Sequence, residues 1–291
     1  MEPEISIVLP VRHARETIER TLEALLEQCR GRSTELLAVV GAEDATGEAL
    51  RGRSGVRVLT LPGNWSVPQL RGEGVRAARG RFIVITEDHC QYSPGWLDTM
   101  IEIHGQREVA AVGGPVENGR TGGVLDWAIY FSRYLGSMPP VGLGAVRTLP
   151  GNNACYRREA LEQFAAGSQD GFWEHEVNQE LAASGYVLWQ DPRLLVTHHK
   201  PYRFLPYLGL RYRHARCFGA REGGRFGRVL AAPLVPALLA LRAVRTIRSK
   251  RRRAREFWLA FPALLLCYLI WFWGELVGRL AGPGGACSQT D

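Results

Sequence analysis

Two spacings of apolar positions alternate through the first 120 residues. Short continuous runs predict buried strands at residues 4–10 (EISIVLP), 35–42 (ELLAVVGA), 56–61 (VRVLTL), 81–87 (RFIVITE) and 108–116 (EVAAVGGPV). Between them Ile18, Leu22, Leu25, Leu26 and Cys29 recur at helical spacing, and residues 66–79 and 95–106 also read as helices. Gly80 stops the first of these two. Strand and helix in this rhythm predict an α/β fold, with a parallel or mixed sheet and helices on both faces. Such sheets bind ligands at the carboxyl ends of their strands. Those ends are Pro10-Val11, Ala42-Glu43 and Glu87-Asp88-His89.

The middle of the chain is less regular. LPGNNACYRREAL reads as a polar Gly-Asn-Asn turn leading into a helix. FWEHEVNQELAASGYVLW reads as a helix stopped by Gly185 and then a strand, and LLVTHHKPYRF as a strand ending in two histidines. The last 70 residues change character. Residues 229–241 are apolar but too short to span a bilayer, which suits an interfacial helix. Residues 257–273, FWLAFPALLLCYLIWFW, carry no charge. As a helix they would reach roughly 25 Å, near the lower limit for a transmembrane span. Tryptophans near both ends suit the membrane interface. A buried core helix is the plainer reading of the same run.

Charge sharpens that picture. The formal net charge is +7. Residues 242–255, RAVRTIRSKRRRAR, hold eight Arg/Lys and no acid, so the rest of the chain sums to −1. The basic character belongs to one segment beside the apolar run, which argues against a nucleic-acid partner. The positive-inside tendency puts that segment on the cytoplasmic face of a cell membrane. Six scattered cysteines form no C-x-x-C pair, which predicts reduced thiols rather than a disulfide framework. MEPEISIVLP lacks an export pattern.

Several segments together resemble one family. SIVLPVRHARETIERTLEALLEQ is similar to the opening of family 2 glycosyltransferases, and PQLRGEGVRAARGRFIVITEDH resembles that family's Arg-rich helix, Gly, strand and acidic motif. GNNACYRREAL, WEHEVNQELAASGY and LLVTHH follow in the family's order. The resemblance covers about residues 4–220. It implies a Rossmann-like glycosyltransferase-A fold with a mixed central sheet, here followed by C-terminal apolar helices. The domains expected are a catalytic domain at 1–220 and a membrane-associated region at 221–291.

The resemblance also implies a site. The family's Asp-x-Asp falls on Glu87, Asp88 and His89, a variant in which the second position is His. Imidazole suits Mn²⁺ or another transition metal better than Mg²⁺. His198, at a later strand end, resembles a further ligand position, so the expected metal set is Glu87, His89 and His198. Loss of metal binding, or a capped strand end at His198, is the plain alternative. Counting back from Gly185 puts Glu174 at the catalytic base position, with Glu176 two residues on. Both are also ordinary first-turn acids of a helix. Donor binding is expected at Pro10, Val11, Arg71, Glu87, Asp88, Asn152 and Asn153. The family's acid after the second strand is represented only by Glu43 or Asp44, and Glu43 is the expected one.

The function implied is that of an inverting glycosyltransferase. It would move a sugar from a nucleotide-sugar, a UDP-sugar, to a lipid-linked or glycan acceptor in polysaccharide or glycolipid synthesis. The contrasting reading is a non-catalytic sugar-nucleotide-binding or scaffolding domain of a membrane assembly.

Overall fold

A computed structural model describes residues 2–165, 171–221 and 234–290. Strand β1 (Ile5–Val11) leads through helix α1 (Ile18–Gln28) to β2 (Thr34–Gly41). The short α2 (Thr46–Leu50), β3 (Val56–Leu61), α3 (Val67–Ala77) and β4 (Phe82–Ile85) follow. Next come β5 (Cys90–Tyr92), α4 (Trp96–Gln106), β6 (Ala111–Gly113), β7 (Val116–Asn118) and α5 (Val124–Tyr134). Then β8 (Gly144–Val146), β9 (Ala154–Arg157), α6 (Arg158–Ala165), α7 (Glu174–Ala183), β10 (Leu188–Gln190) and β11 (Val196–His198). The chain closes with α8 (Phe204–Arg221), α9 (Val235–Lys250) and α10 (Ala254–Ala281).

The main sheet has the order β3-β2-β1-β4-β9-β6-β10-β8. β9 runs antiparallel between β4 and β6, and β8 runs antiparallel to β10, so the sheet is mixed. β1 is buried at every position because both faces are covered. Ile5, Ile7, Leu9 and Val11 face a core shared with α1 and α4, including Leu22, Leu25, Trp96 and Met100. Val8 faces the other core with Val75, Tyr156, Leu161 and Leu181. Burial on both faces explains why the strands read as unbroken apolar runs.

Two sequence expectations need correction here. Residues 108–116 are not one strand: the run divides at Gly114-Pro115, and β7 joins a separate sheet of order β5-β11-β7. The ACYR stretch, read as part of a turn and helix, is strand β9 in the middle of the main sheet. Tertiary pairing on both edges overrides its short length.

The contacts divide the chain into two compact units: residues 1–117 with 137–200, and residues 118–136 with 201–291. Residue 220 lies inside the second of these units. α5 and α8 pack against α10, which draws both helices into the second unit. In that unit the apolar run to Leu241 and the basic cluster share helix α9, and residues 229–233 lie outside the described residues. The expected span at 257–273 is the middle of the longer α10. The cysteine expectation is also corrected: Cys217 and Cys287 form a disulfide, while Cys29, Cys90, Cys155 and Cys267 are free.

His104 on α4 is 3% exposed, with its ring against Phe82 and its Nε2 3.2 Å from the Cys155 carbonyl oxygen. Burial lowers its pKa from 6.5 to about 4. The unfolded chain takes up this proton near pH 6.5, and the folded chain resists to about 4. Its contribution is thus whole above pH 6.5 and is lost as pH falls toward 4. The loss is on the order of 3 kcal/mol. Urea midpoints should fall more between pH 7 and 4.5 for the native chain than for His104→Gln; equal falls would remove this account.

Candidate active site

The carboxyl end of β1 turns sharply. Pro10 and Val11 are buried, and the next two amides are held by acids from other strand ends. The Arg12 N–H donates to Asp88 Oδ2 at 2.8 Å, and the His13 N–H to Asp44 Oδ2 at 2.6 Å. His13 sits at φ 53°, a strained value for a residue with a side chain. Burial would raise the Asp44 carboxyl, but the amides of His13 and Thr46 outweigh it and hold it below its ordinary range. Val11, Glu43, Asp44, Gly63, Trp65 and Leu70 line a hollow of about 170 Å³. Glu43 is exposed at this hollow, whereas Asp44 braces the turn.

β4 ends inside the protein rather than in solvent. Glu87, Asp88 and His89 are all buried, at 8%, 4% and 3% exposure. The strand end therefore does not run out into a solvated turn. Arg71 on α3, 4% exposed, joins two segments: one terminal nitrogen donates to Glu87 Oε1 at 2.5 Å and the other to Glu174 Oε2 at 2.7 Å. Glu174 is the first residue of α7 and its side chain is 31% exposed. Gly151 makes room for it, since a Cβ there would lie 2.4 Å from the Glu174 Cδ.

The second cluster touches the first through Glu87. Its Oε2 lies 3.0 Å from His89 Nε2 and 3.9 Å from His198 Nε2, and the two imidazole nitrogens are 2.9 Å apart. Pairing of β11 with β5, which sets His198 opposite Cys90, creates this meeting. Asp88 Oδ1 fixes the His89 ring through Nδ1 at 2.6 Å. Burial alone would lower the His89 pKa, but the Asp88 and Glu87 carboxylates outweigh it and hold it above its ordinary value. Cys90 Sγ also lies within 4.8 Å of ligand atoms on Glu87 and His89. Burial first, then the Glu87 charge, pushes that thiol well up, and the side chain belongs to the apolar core.

These side chains fit a cation. Ligand atoms at right angles around an ion, each about 2.1 Å away, stand about 3 Å apart. Two of the three separations in the Glu87–His89–His198 set already have that value. Two imidazoles with a carboxylate form a donor set of transition-metal type.

The other expected residues divide. Asn152 is buried, with its Nδ2 3.8 Å from Cys90 Sγ. Asn153 is turned inward: its Nδ2 donates to the Pro115 and Leu194 carbonyls and its Oδ1 accepts from Trp96 Nε1. These three hydrogen bonds hold its side chain within the fold. Glu176, about 200° round α7 from Glu174, faces another side of the helix. Sequence reasoning missed the bracing roles of Asp44 and Asp88, since hydrogen bonds to distant amides leave no local pattern. A larger hollow, about 780 Å³, lies at the amino ends of β6 and β10, lined by residues such as Arg107, Arg157 and Tyr186. None of the clustered acids or histidines lines it.

The family model described as Glycosyl transferase family 2 matches residues 6–164. The chain belongs to that family. It is a glycosyltransferase, and its fold is glycosyltransferase-A. A mannosyltransferase, PcManGT from Pyrobaculum calidifontis, solved with GDP-Man and Mn²⁺, is 20% identical at TM-score 0.54, covering 100% of this chain and 89% of that one. GalNAc-T7, solved with UDP, GalNAc and Mn²⁺, is 16% identical at TM-score 0.50, covering 68% of this chain and 44% of that one. TarS from S. aureus is 11% identical at the same TM-score, covering 73% and 39%. No curated protein matches the chain by sequence.

Arg71 pairs with two carboxylates at once. Arg71→Met should leave Glu87 and Glu174 uncompensated and destabilise the fold by about 3 kcal/mol. Denaturant midpoints at unchanged slope would measure it; a cost under ~1 kcal/mol would mean that the bridge contributes little.

Proposed function

We propose that the chain transfers a sugar from a nucleoside diphosphate donor, a UDP-sugar, to a lipid-linked or glycan acceptor, inverting the anomeric carbon. The observation that carries this is Arg71 bonded to both Glu87 and Glu174. A candidate base and the strand-end acid thereby share one guanidinium in one cleft. The nucleoside lies along Pro10 and Val11 in the hollow edged by Glu43, and the sugar diphosphate runs toward Glu87.

Glu87, His89 and His198 would hold a divalent cation, and their imidazoles would favour Mn²⁺ over Mg²⁺. Both structural relatives solved with donor nucleotides also carry Mn²⁺. A cation bound by these side chains would supply positive charge against the leaving diphosphate. Glu174 takes the acceptor hydroxyl proton as that oxygen bonds to the anomeric carbon. The bond from that carbon to the diphosphate oxygen breaks on the opposite face, and its electron pair leaves with the diphosphate. One displacement inverts the centre. Arg71 keeps the base and the strand-end acid in fixed relation, which supplies the alignment such a displacement needs.

Membrane association is the second part of the reading. α10 is long and apolar enough to cross a bilayer, and the cluster at 242–255 suits the cytoplasmic face. A membrane concentrates an amphiphilic acceptor in two dimensions, which supports a lipid-linked one. In a reducing cytoplasm Cys217 and Cys287 would stand as neighbouring thiols.

Purified protein screened against nucleotide-sugars should show thermal protection and donor turnover with at least one; protection by none would sink the reading. Glu174→Gln should lower turnover by about 10²–10⁴-fold and leave donor affinity unchanged. A loss of affinity in parallel would assign Glu174 to binding instead. His89→Ala and His198→Ala should each weaken Mn²⁺ binding, measured by calorimetry, by at least about tenfold. Native affinity in either variant would remove that side chain from the metal set.

A further inference from the structure

α10 is two-sided along its whole length. Phe257, Ala260, Leu264, Cys267, Tyr268, Gly274 and Gly278 are its buried positions. Trp258, Leu259, Leu266, Leu269, Trp273 and Leu280 are exposed, each by 39% or more. At 100° per residue these six fall within a stripe about 100° wide, on the side opposite the buried set. The stripe runs most of the helix, roughly 33 Å. Leu238 and Leu241 on α9 are exposed as well. A helix crossing a bilayer by itself meets lipid all round, whereas this one has a single bare side.

The covered side carries charge. α8 lies alongside the second half of α10 in the same direction: Tyr207 packs with Cys267, and farther on Arg216 meets Gly278. A Cβ at Gly278 would stand 2.1 Å from the Arg216 carbonyl oxygen, so the two backbones touch. Arg216 Nε donates to the Gly282 carbonyl at 3.0 Å, and Cys217 is bonded to Cys287 in the tail. Arg211 stacks on Trp271, and Arg279 pairs with Glu275 on α10 itself. Passing this half of α10 through hydrocarbon would therefore take Arg211, Arg213 and Arg216 along, a costly arrangement. In the chain between Leu241 of α9 and Trp258 of α10, Arg242, Arg245, Arg248, Arg251 and Arg255 are exposed.

We infer that the C-terminal unit sits on an anionic bilayer from one side only, with the Leu/Trp stripe of α10 in a single leaflet and the exposed arginines on lipid phosphates. The tail after α10 remains on the side of the membrane where α8 begins. This deepens the membrane association proposed above and rests on it. Tryptophans along the stripe suit the depth of the headgroups; α10 is itself apolar all round, and the packing of α8 and α5 on its other side, with the cationic rim, leaves one apolar face for the interface.

The test uses the full chain with an epitope at each end. Membrane vesicles from expressing cells, right-side-out and inverted, are treated with protease. Both epitopes should be cut in the same preparation and protected in the other. Cutting of the two ends in opposite preparations would overturn the inference by showing a crossing. Purified protein should float with vesicles containing phosphatidylglycerol at least tenfold more than with phosphatidylcholine alone. The double change Arg245→Glu and Arg248→Glu should remove that preference, while transfer to a soluble acceptor persists. Failure to float with either vesicle, and recovery wholly in the soluble fraction, would overturn the membrane reading itself and this inference with it. A lipid-free dimer that no longer floats would give the stripe to a second copy and overturn the inference.

Discussion

A guanidinium with almost no access to water, set between two carboxylates, organises the first unit. Arg71 comes from α3, Glu87 from the end of β4 and Glu174 from the start of α7. Arg71 and Glu87 are each costly to bury alone, and the bridge compensates them together. The bridge therefore ties the meeting of three remote segments to the stability of the sheet. It also imposes a choice on ligand binding. Whatever anion enters the cleft meets an arginine that already holds two carboxylates, so binding competes with that bridge.

The sheet explains why those segments meet. β9 slots antiparallel between β4 and β6, and the turn before it brings Gly151 against Glu174. Asn153 locks that turn with three hydrogen bonds to chain segments 38, 41 and 57 residues away. The smaller sheet performs the same service on the other side. Without the β5–β11 pairing, His198 would have no reason to approach His89. Structural polar residues thus surround the chemistry, and several of them were legible in the sequence only as polar.

Much of the first 120 residues could be read from apolar spacing, because buried parallel strands and amphipathic helices leave strong local patterns. β1, β3 and α4 fall where that spacing puts them. β9 escaped because four residues following a Gly-Asn-Asn turn have no period of their own; only their two neighbours make them a strand. The division at Gly114-Pro115 was hidden for the same reason. At the site, Glu87, His89, His198 and Glu174 were nameable from family resemblance, and the structure brings all four together. Arg71 was nameable as a nearby cation but not as a bridge, since its partners lie 16 and 103 residues away. Asn153 shows that the side chain of a polar turn can point inward as readily as toward a ligand.

His89 and His198 are 109 residues apart in the chain, yet their ring nitrogens are in hydrogen-bond contact. In the unfolded chain a loop of that length holds the two rings apart, so no chelate exists there. An ion taken up between them recognises the native state alone, and its binding free energy is added to that of folding. The melting temperature then becomes a function of free ion concentration, and a chelating buffer a mild denaturant. Occupancy of this pair is in that sense a gauge of whether β5 and β11 have found one another.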